Sequence, residues 1–417
     1  MTGRSRIYTT MDNYNEEWVM SRRNPNHGLK PIREILKKAG NPQDQIRIVH
    51  VAGTNGKGST CCYLQHILMS QGYRVGMFTS PHLVTHRDRI RINDSFITHE
   101  AFEEYLHMYL DDILELNLGM FEIDTLIAYT WFRDQKVDYA VIECGLGGRL
   151  DNTNVIKKPE LSVITTVAYD HMNILGSRIQ QISNEKAGIF MPESRAVTGR
   201  LNPHAWNVIG KRAQRIHCAL TTMPAFYSRG KQKFSFEGDV YQLSTSAQYQ
   251  KANASLALYC AKMLGVNIHT DTVRKAVMNT SWPGRFETVK KHPWIILDGA
   301  HNEEGMHALE ASMQDLPHPL IVVFSALKDK PGMKMARSYL KRSDHLIVTH
   351  FDNQRADTLK DLSPEGAEVM EDWKKALSKV EKEAGEQGCI VVTGSLYFIS
   401  LVREYYDCDN VKISENL

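Results

Sequence analysis

A glycine-rich segment between a β-rich run and a helical pattern constrains the fold more than any other feature of this chain. The segment VAGTNGKGST occupies residues 51–60 and directly follows the β-rich run at residues 46–51. Glycines allow the backbone to turn tightly enough for its amides to converge on phosphate oxygens, and a helix N-terminus adds a positive dipole. The segment therefore predicts a strand, a phosphate-binding loop and a helix in series.

This loop departs from the usual G-x-x-x-x-G-K-[ST] pattern at two positions. Val51 occupies the first glycine position, and Gly58 stands where a hydroxyl residue normally follows the lysine. Lys57 keeps its place, and we expect its ammonium group to reach the β- and γ-phosphates of a nucleotide. A glycine-rich turn that binds no ligand is the alternative interpretation.

Short β-rich runs alternate with longer helical patterns along the first half of the chain, which is typical of parallel α/β layers. The segment at residues 233–243 has the pattern of a hairpin, which either extends the main sheet or forms a small side sheet. The predicted strands are residues 46–51, 75–78, 139–143 and 161–167, and the predicted helices are residues 59–70 and 101–116.

Proline and glycine residues at 282–284 and 292–293 interrupt the chain, and the α/β alternation restarts after them. The fold class predicted is α/β, with an N-terminal P-loop ATPase-type domain (residues 1–284) built on a mostly parallel sheet. A smaller C-terminal Rossmann-like α/β domain follows (residues 285–417). Its predicted strands are residues 294–297, 320–324, 345–349 and 389–392, and its predicted helices include residues 307–313 and 373–383.

Composition excludes several classes of protein. The net charge of the 417 residues is only +2, which argues against a broad nucleic-acid-binding face. The seven cysteines form no C-x-x-C pair, which argues against a disulfide framework and a zinc site and favours a reducing compartment. Residues 1–23 lack the apolar core of a signal peptide, and no apolar run approaches the roughly 20 residues that span a bilayer. We expect a cytoplasmic monomer that binds neither nucleic acid nor membrane.

Ten sequence blocks together resemble the Mur ligase superfamily, in particular its folylpolyglutamate synthase and dihydrofolate synthase branch. The first is the GTNGKGS loop, and the other nine follow in that family's order between residues 79 and 330. They are TSPHL (79–83), RIRI (89–92), FE (121–122), ECGLGGRLDNTN (143–154), DHMNILG (170–176), EKAGI (185–189), WPGR (282–285), LDGAHN (297–302) and FSALKDK (324–330).

The resemblance implies an ATP- and magnesium-dependent ligase whose small-molecule substrates are folate, L-glutamate and ATP. Such an enzyme adds glutamate to the γ-carboxylate of folate or folylpolyglutamate through an acyl phosphate and releases ADP and phosphate. A bifunctional enzyme that also joins glutamate to dihydropteroate is one alternative. A ligase for a cell-wall or cyanophycin-like substrate and an ATP-binding switch without ligase activity are the others.

Three polar residues lie at or just past predicted strand ends, where ligands gather in open α/β sheets. In the resembled family, the residues at the positions of Ser80, Glu143 and His171 bind two magnesium ions, which implies that His171 binds the second. Imidazole is an unusual magnesium ligand, so we expect manganese to substitute. A structural ion pair for Glu143 and a core position for His171 are the alternatives.

The resemblance also implies catalytic roles for Lys57, Glu143, His171 and Lys186. In many family members the lysine matching Lys186 is carbamylated, which turns a cation into an anion beside the metal. An ordinary lysine that pairs with phosphate is the alternative, and the sequence does not decide between them.

Nucleotide-binding positions carried over from the family lie in both predicted domains, so ATP is expected to be held between them. They are Gly53, Thr54, Asn55, Gly56, Lys57, Gly58, Ser59, Thr60, Asn253, Arg285, Asp298 and His301.

Two groups of residues are expected at the substrates. The pteridine side is assigned to Phe121, Arg149 and Asp151, and the incoming glutamate to Ser325, with His307, Lys328 and Asp329 nearby. The family usually reads Asp-Ala-Thr-Asn where this chain reads Asp-Asn-Thr-Asn at residues 151–154, which leaves the substrate preference of this loop open.

Overall fold

The structure is a computed structural model that describes residues 13–23 and 28–414, with side chains described as far as residue 406. Residues 1–12, which form half of the N-terminal segment considered above, lie outside the described residues. The chain divides into two compact units. The first comprises the described residues up to Tyr227, with Ser235–Tyr241 and Ala252–Thr280, and the second comprises Ser228–Phe234, Gln242–Lys251 and the chain from Ser281 onward.

An eight-stranded sheet forms the centre of the first unit, in the order β4-β3-β2-β5-β1-β6-β7-β8. All neighbours from β2 to β8 run parallel, and only β3 and β4 are antiparallel. The central strands are buried along their whole length because helices cover both faces of a parallel sheet. The strands are β1 (Ile48–Ala52), β2 (Val75–Phe78), β3 (Ile90–Ile92), β4 (Ser95–Phe96), β5 (Tyr139–Glu143), β6 (Leu161–Ile164), β7 (Arg195–Thr198) and β8 (Ala219–Thr222).

The helices around this sheet differ in how much of their surface is apolar. Helices α3 and α6 are buried on nearly all sides, whereas α9 has one apolar stripe and a solvated face. The helices are α1 (Glu16–Ser21), α2 (Lys30–Lys38), α3 (Lys57–Met69), α4 (His99–Met108), α5 (Leu110–Glu115), α6 (Met120–Asp134), α7 (Met172–Leu175), α8 (Ile179–Ala187), α9 (Pro203–Arg215), α10 (Gln248–Met263) and α11 (Asp271–Asn279).

The segment predicted as a hairpin forms a small separate sheet. Its strands are β9 (Phe226–Ser228), β10 (Lys233–Phe236) and β11 (Asp239–Gln242), in the order β11-β10-β9. The two turn residues, Glu237 and Gly238, both have positive φ angles of 46° and 92°. This is the backbone that a two-residue hairpin turn requires. The turn itself therefore fixes the register in which β10 pairs with β11, without help from the main sheet.

A six-stranded sheet forms the centre of the second unit, in the order β12-β13-β17-β14-β15-β16. Only β12 runs antiparallel to its neighbour. The strands are β12 (Arg285–Lys291), β13 (Trp294–Asp298), β14 (Leu320–Phe324), β15 (His345–His350), β16 (Glu368–Asp372) and β17 (Cys389–Thr393). The helices are α12 (Glu303–Met313), α13 (Gly332–Leu340), α14 (Leu359–Leu362), α15 (Trp373–Ala384) and α16 (Leu396–Ser414).

The structure confirms the predicted fold class, with a larger, mostly parallel sheet in the first unit and a smaller one in the second. The domain boundary between residues 284 and 285 stays a prediction. Several element predictions are wrong in their bounds, such as the helix predicted at residues 307–313, which begins at Glu303. Two of these differences bear on the site and on the helix count. Strand β6 ends at Ile164 rather than at residue 167, because Thr165 and Thr166 turn to support the glycine loop. The helix predicted at residues 101–116 is two helices separated at Tyr109.

None of the helices in residues 13–23 and 28–414 is both long and apolar enough to cross a membrane.

The burial of the central strands makes a testable prediction for stability. Ile142 lies in β5 with no exposed surface, so Ile142→Ala is expected to cost about 2–5 kcal/mol of the free energy of unfolding. The control is Ile174→Ala, because Ile174 is 62% exposed and its loss is expected to cost less than about 0.5 kcal/mol. Urea denaturation measures both, and equal losses would contradict the assigned core.

Candidate active site

Four neighbouring parallel strands end at one edge of the large sheet and bring their loops together. In the order β2-β5-β1-β6, the residues at these ends are Thr79-Ser80, Glu143, Gly53 and Thr165. Ligands of open α/β sheets bind at the carboxyl ends of the strands. The edge therefore collects the predicted nucleotide loop, two of the predicted metal ligands and the segment leading to His171.

The glycine loop after β1 is held by hydrogen bonds from the segment after β6. The Thr54 amide donates to the Thr166 carbonyl (2.9 Å), and the Asn55 amide donates to the Thr166 hydroxyl (3.1 Å). The Thr165 hydroxyl donates to the Asn55 carbonyl (2.6 Å). These contacts fix the backbone of the loop before any ligand binds, which is the preorganisation that phosphate binding by amides requires.

Gly56 forms the start of helix α3 and needs to be glycine for two reasons. Its φ is +82°, in the left-handed region, and a Cβ at this position would lie 2.3 Å from the Asn253 Oδ1. Asn253, a predicted nucleotide-binding residue, therefore packs directly against the loop. No side chain caps the helix at Gly56, so the first turn of α3 presents its amides and its positive dipole at the end of the loop.

Glu143 is the charged centre of this edge. Its carboxylate is almost fully buried, and Lys57 Nζ lies 3.7 Å from Glu143 Oε1. The Ser80 amide donates to Glu143 Oε2 over 3.3 Å. The structure thus brings together the lysine, carboxylate and hydroxyl residue that the sequence analysis assigned to phosphate and metal. A carboxylate and a serine hydroxyl are hard oxygen donors of the kind that Mg²⁺ takes, together with waters and phosphate oxygens.

His171 and Lys186 occupy different environments beyond β6. His171 is half-exposed and adopts a left-handed backbone (φ 49°) immediately before α7, and its Nε2 lies 3.8 Å from Asp170 Oδ1. Lys186 is buried near the end of α8, with 2% of its surface exposed. A buried lysine at a charged edge is a candidate for chemistry because burial disfavours the ammonium form of an amine.

The loop after β5 carries the residues assigned to the pteridine side. A Cβ on Gly145 would lie 2.6 Å from the Phe121 ring, so Phe121 packs directly against this loop. The Arg149 amide donates to the Glu185 carbonyl (2.8 Å), and the Arg149 guanidinium pairs with the Glu185 carboxylate (2.9 Å). The loop is therefore fastened to α8 one residue before Lys186.

Asp151 holds the two ends of the same loop together through hydrogen bonds to backbone amides. Its carboxylate accepts hydrogen bonds from the amides of Leu146 (2.7 Å) and Thr153 (3.0 Å). Burial raises the pKa of Asp151, and these hydrogen bonds act in the opposite direction because they stabilise the carboxylate.

In the second unit, Asp298 ends β13 and organises the backbone around it. It accepts hydrogen bonds from the Tyr249 hydroxyl (2.5 Å) and from the amides of Phe286 (3.0 Å) and Ala300 (2.9 Å). Burial raises the pKa of Asp298, while the Tyr249 hydrogen bond and the charge of Arg285 oppose that rise. Asp298 therefore joins three chain segments at the end of the first parallel strand of this unit.

Arg285 and His301 lie on either side of Gly299. A Cβ on Gly299 would lie 2.3 Å from Arg285 Nη1, so the guanidinium crosses the backbone at this position. The His301 Nδ1 lies 2.9 Å from the Gly299 carbonyl oxygen. Because a carbonyl only accepts, Nδ1 carries the proton and donates it. The predicted nucleotide residues of the second unit thus form one group.

The predicted glutamate-site residues separate into two sets. Ser325 follows β14 and is fully buried, and its hydroxyl has no hydrogen-bond partner among the described residues. By contrast, the exposed His307 lies 3.1 Å from the buried Glu310 carboxylate, and Asp329 pairs with Arg355 (2.9 Å) at an exposed position. Ser325 therefore has a hydroxyl without a partner among the described residues, whereas His307 and Asp329 both contact side chains of the protein.

Comparison with known proteins finds two Mur ligase domains in this chain. Residues 51–261 match the Mur ligase middle domain, and residues 284–396 match the Mur ligase glutamate ligase domain. The dihydrofolate synthase/folylpolyglutamate synthase of Bacillus subtilis (strain 168) is 36% identical over 90% of this chain and 94% of its own length. The chain belongs to the folylpolyglutamate synthase/dihydrofolate synthase family of the Mur ligases.

Solved structures of this family superpose on nearly the whole chain. The Mycobacterium tuberculosis folylpolyglutamate synthase complexed with ADP and AMPPCP has a TM-score of 0.85 and 27% identity, covering 96% of this chain and 98% of its own. A bifunctional folylpolyglutamate synthase/dihydrofolate synthase with Mn, AMPPNP and L-glutamate bound has a TM-score of 0.83 and 26% identity, covering 93% and 96%. The family fold is therefore present in both units.

Sequence reasoning missed three residues that shape the site. Thr165 and Thr166 were placed inside a strand, although their hydroxyls support the glycine loop. Tyr249, which donates to Asp298, carried no motif. The threonine pair had a usable signal, since hydroxyl residues that follow an apolar run mark the end of a buried strand. Tyr249 had no such signal in the sequence, because its partner Asp298 lies 49 residues away.

The geometry at Gly56 gives a testable prediction for nucleotide binding. Gly56→Ala combines a strained backbone with a collision against Asn253, so ATP affinity is expected to fall on the order of tenfold or more. The control is Gly72→Ala, because Gly72 has a similar φ of +86° but no atom within 4 Å of an added Cβ. Calorimetric titration with ATP and Mg²⁺ compares the two, and equal affinities would contradict the role of this loop.

Proposed function

We propose that this chain is an ATP-dependent ligase that adds L-glutamate to the γ-carboxylate of a folate or folylpolyglutamate. The observation that carries the proposal is the arrangement of Lys57, the buried Glu143 and Ser80 beside an amide-lined glycine loop. Membership of the folylpolyglutamate synthase/dihydrofolate synthase family supplies the reaction class.

The glycine loop is proposed to bind the triphosphate of ATP through residues 53–60, with Lys57 on the terminal phosphates. Ser80 and Glu143 would hold a divalent ion, and His171 would hold a second one. When bound, the metal supplies Lewis-acid stabilisation of negative charge on phosphoryl oxygens. Support comes from the hard-oxygen donor set and from a related structure that holds Mn and AMPPNP.

The reaction proceeds in two displacements. A carboxylate oxygen of the folate attacks the γ-phosphorus in line, a new P–O bond forms, and the bond to the β-phosphate oxygen breaks to release ADP. The glutamate amine then attacks the acyl-phosphate carbonyl, the C–O bond to phosphate breaks, and the amine loses a proton to solvent. Lys57 stabilises charge on the transferred group, and the loop amides hold it in position. No protein nucleophile is required.

Lys186 is proposed to be carbamylated. Its burial at the end of α8 and its position in the EKAGI segment support this, and an uncharged amine is the form that reacts with carbon dioxide. An ordinary lysine that pairs with phosphate is the alternative. Mass spectrometry of the native protein distinguishes them, and an unmodified amine in metal-loaded protein would reject carbamylation.

The second unit is proposed to contribute Arg285, Asp298 and His301 to nucleotide binding and Ser325 to glutamate binding. Among the described residues, the buried hydroxyls of Ser325 and of Ser395, which follows the adjacent strand β17, have no hydrogen-bond partner. Buried polar groups are normally satisfied, so two such hydroxyls together favour a site that a polar ligand completes. ATP held between two domains, a monomeric state and a cytoplasmic location stay predictions.

A second activity, joining glutamate to dihydropteroate, is the alternative within the family. The observation in its favour is that the 36% identical relative from Bacillus subtilis is named for both activities. The Asn152 departure lies in the loop assigned to the pteridine side, so the two substrates need direct comparison.

The deciding experiment is a substrate panel in which glutamate-dependent phosphate release from ATP is measured. Tetrahydrofolate and folylpolyglutamates are expected to support release, and added dihydropteroate tests the bifunctional form. Positional isotope exchange in ATP without glutamate is expected if the acyl phosphate forms. A protein that binds ATP but turns over none of these substrates would favour an ATP-binding switch instead.

Substitution of the charged pair makes a further prediction. Lys57→Ala is expected to lower kcat on the order of 10²–10³-fold, since it removes a charge that stabilises the transition state. Glu143→Ala is expected to abolish metal-dependent turnover. The control is Lys275→Ala, because Lys275 is exposed on α11 in the same unit. Near-normal kcat in Lys57→Ala or Glu143→Ala would show that the assigned role is wrong.

A further inference from the structure

A buried chain of hydrogen bonds connects the central strand β1 to the loop that follows β5. His50 lies on β1 without exposed surface, and its Nε2 is 2.8 Å from the Thr153 hydroxyl oxygen. That hydroxyl donates to Asp151 Oδ1 over 2.5 Å. All three side chains are buried, so water does not compete for these hydrogen bonds.

The direction of each hydrogen bond follows from the number of protons available. A hydroxyl has one proton, and Thr153 gives it to the Asp151 carboxylate, which only accepts. His50 must therefore donate to Thr153 through Nε2–H, and the Cys144 sulfur lies 3.1 Å from the same nitrogen. This leaves Nδ1 without a proton. Within the described residues Nδ1 has no hydrogen-bond partner. Burial lowers the pKa of His50 to about 3, so the ring stays neutral and keeps this single donor.

Asp151 connects the hydrogen-bonded His50 and Thr153 side chains to the backbone of the loop. Besides the Thr153 hydroxyl, it accepts the amides of Leu146 and Thr153, which closes residues 146–153 around one carboxylate. The Tyr129 hydroxyl donates to the Thr153 carbonyl (2.9 Å), which ties the loop to α6, the helix that also carries Phe121. The conformation of the loop therefore depends on the positions of the Thr153 and Asp151 side chains.

We propose that Thr153 is a positioning residue whose hydroxyl, oriented by His50, fixes Asp151 and thereby shapes the pteridine side of the substrate site. The inference rests on the proposed function, because it assigns the loop after β5 to the folate. His50 lies three residues before Gly53, so the same strand that leads into the nucleotide loop also holds the substrate loop. Thr153 acts through Asp151 and does not itself touch the reacting atoms.

The test compares two substitutions at Thr153. Thr153→Val keeps the shape but removes the hydroxyl. Asp151 then loses one of its three hydrogen bonds, and His50 Nε2 keeps only the weaker Cys144 sulfur as a partner. Thr153→Ser keeps the hydroxyl. We expect Thr153→Val to raise the KM for the folate substrate on the order of tenfold while the KM for ATP stays within about twofold. Thr153→Ser is expected to stay close to the wild type in both constants.

A second pair of variants keeps the proposal testable if Thr153→Val does not fold. His50→Gln retains an N–H donor that can reach Thr153, whereas His50→Leu does not. The folate KM is expected to rise in His50→Leu and to be largely restored in His50→Gln.

The other outcomes contradict either the proposed function or the inference about Thr153. If wild-type protein ligates no glutamate, the proposed function fails. If the wild type is active, this inference alone is overturned by any of three results. These are an unchanged folate KM in Thr153→Val, an equal rise in both KM values, or a Thr153→Ser variant no better than Thr153→Val.

Discussion

The burial of the Glu143 carboxylate is the constraint on which the rest of the site depends. A charge removed from water needs compensation from nearby donors or cations. Here the compensation comes from both neighbouring strands, since Lys57 follows β1 and Ser80 follows β2, and β5 lies between them. The strand order β2-β5-β1 is therefore what assembles a cation, a carboxylate and a hydroxyl residue from segments that are distant in sequence. With ATP and a divalent ion bound, the same three groups would find their partners on the ligands.

The fold was largely predictable from the sequence because the central strands are continuous apolar runs. Strands β2, β5 and β14 have the bounds that their residue patterns predicted. The strands at or near the sheet edges were missed, since β4 is two residues long and exposed and β16 is mostly polar. Such strands have no periodicity that separates them from loops, and only pairing with a neighbour defines them.

The candidate site was predictable only as far as local patterns reach. The glycine loop and the strand-end positions of Ser80 and Glu143 follow from residues adjacent in sequence. The order of strands in the sheet does not, so the 3.7 Å approach of Lys57 to Glu143 needed the structure. The buried hydrogen bonds from His50 to Asp151 could not be predicted either, because His50 and Thr153 are 103 residues apart and no sequence pattern links the two residues. Hydrogen bonds across large sequence separations leave no local signal.

The most direct test of this account is a crystal structure with a non-hydrolysable ATP analogue and Mn²⁺, because manganese is located by its anomalous signal. The account predicts a manganese peak within coordinating distance of the Ser80 hydroxyl and the Glu143 carboxylate, with the terminal phosphates against the amides of residues 53–59. Manganese bound elsewhere, or a triphosphate that makes no contact with these amides, would contradict it.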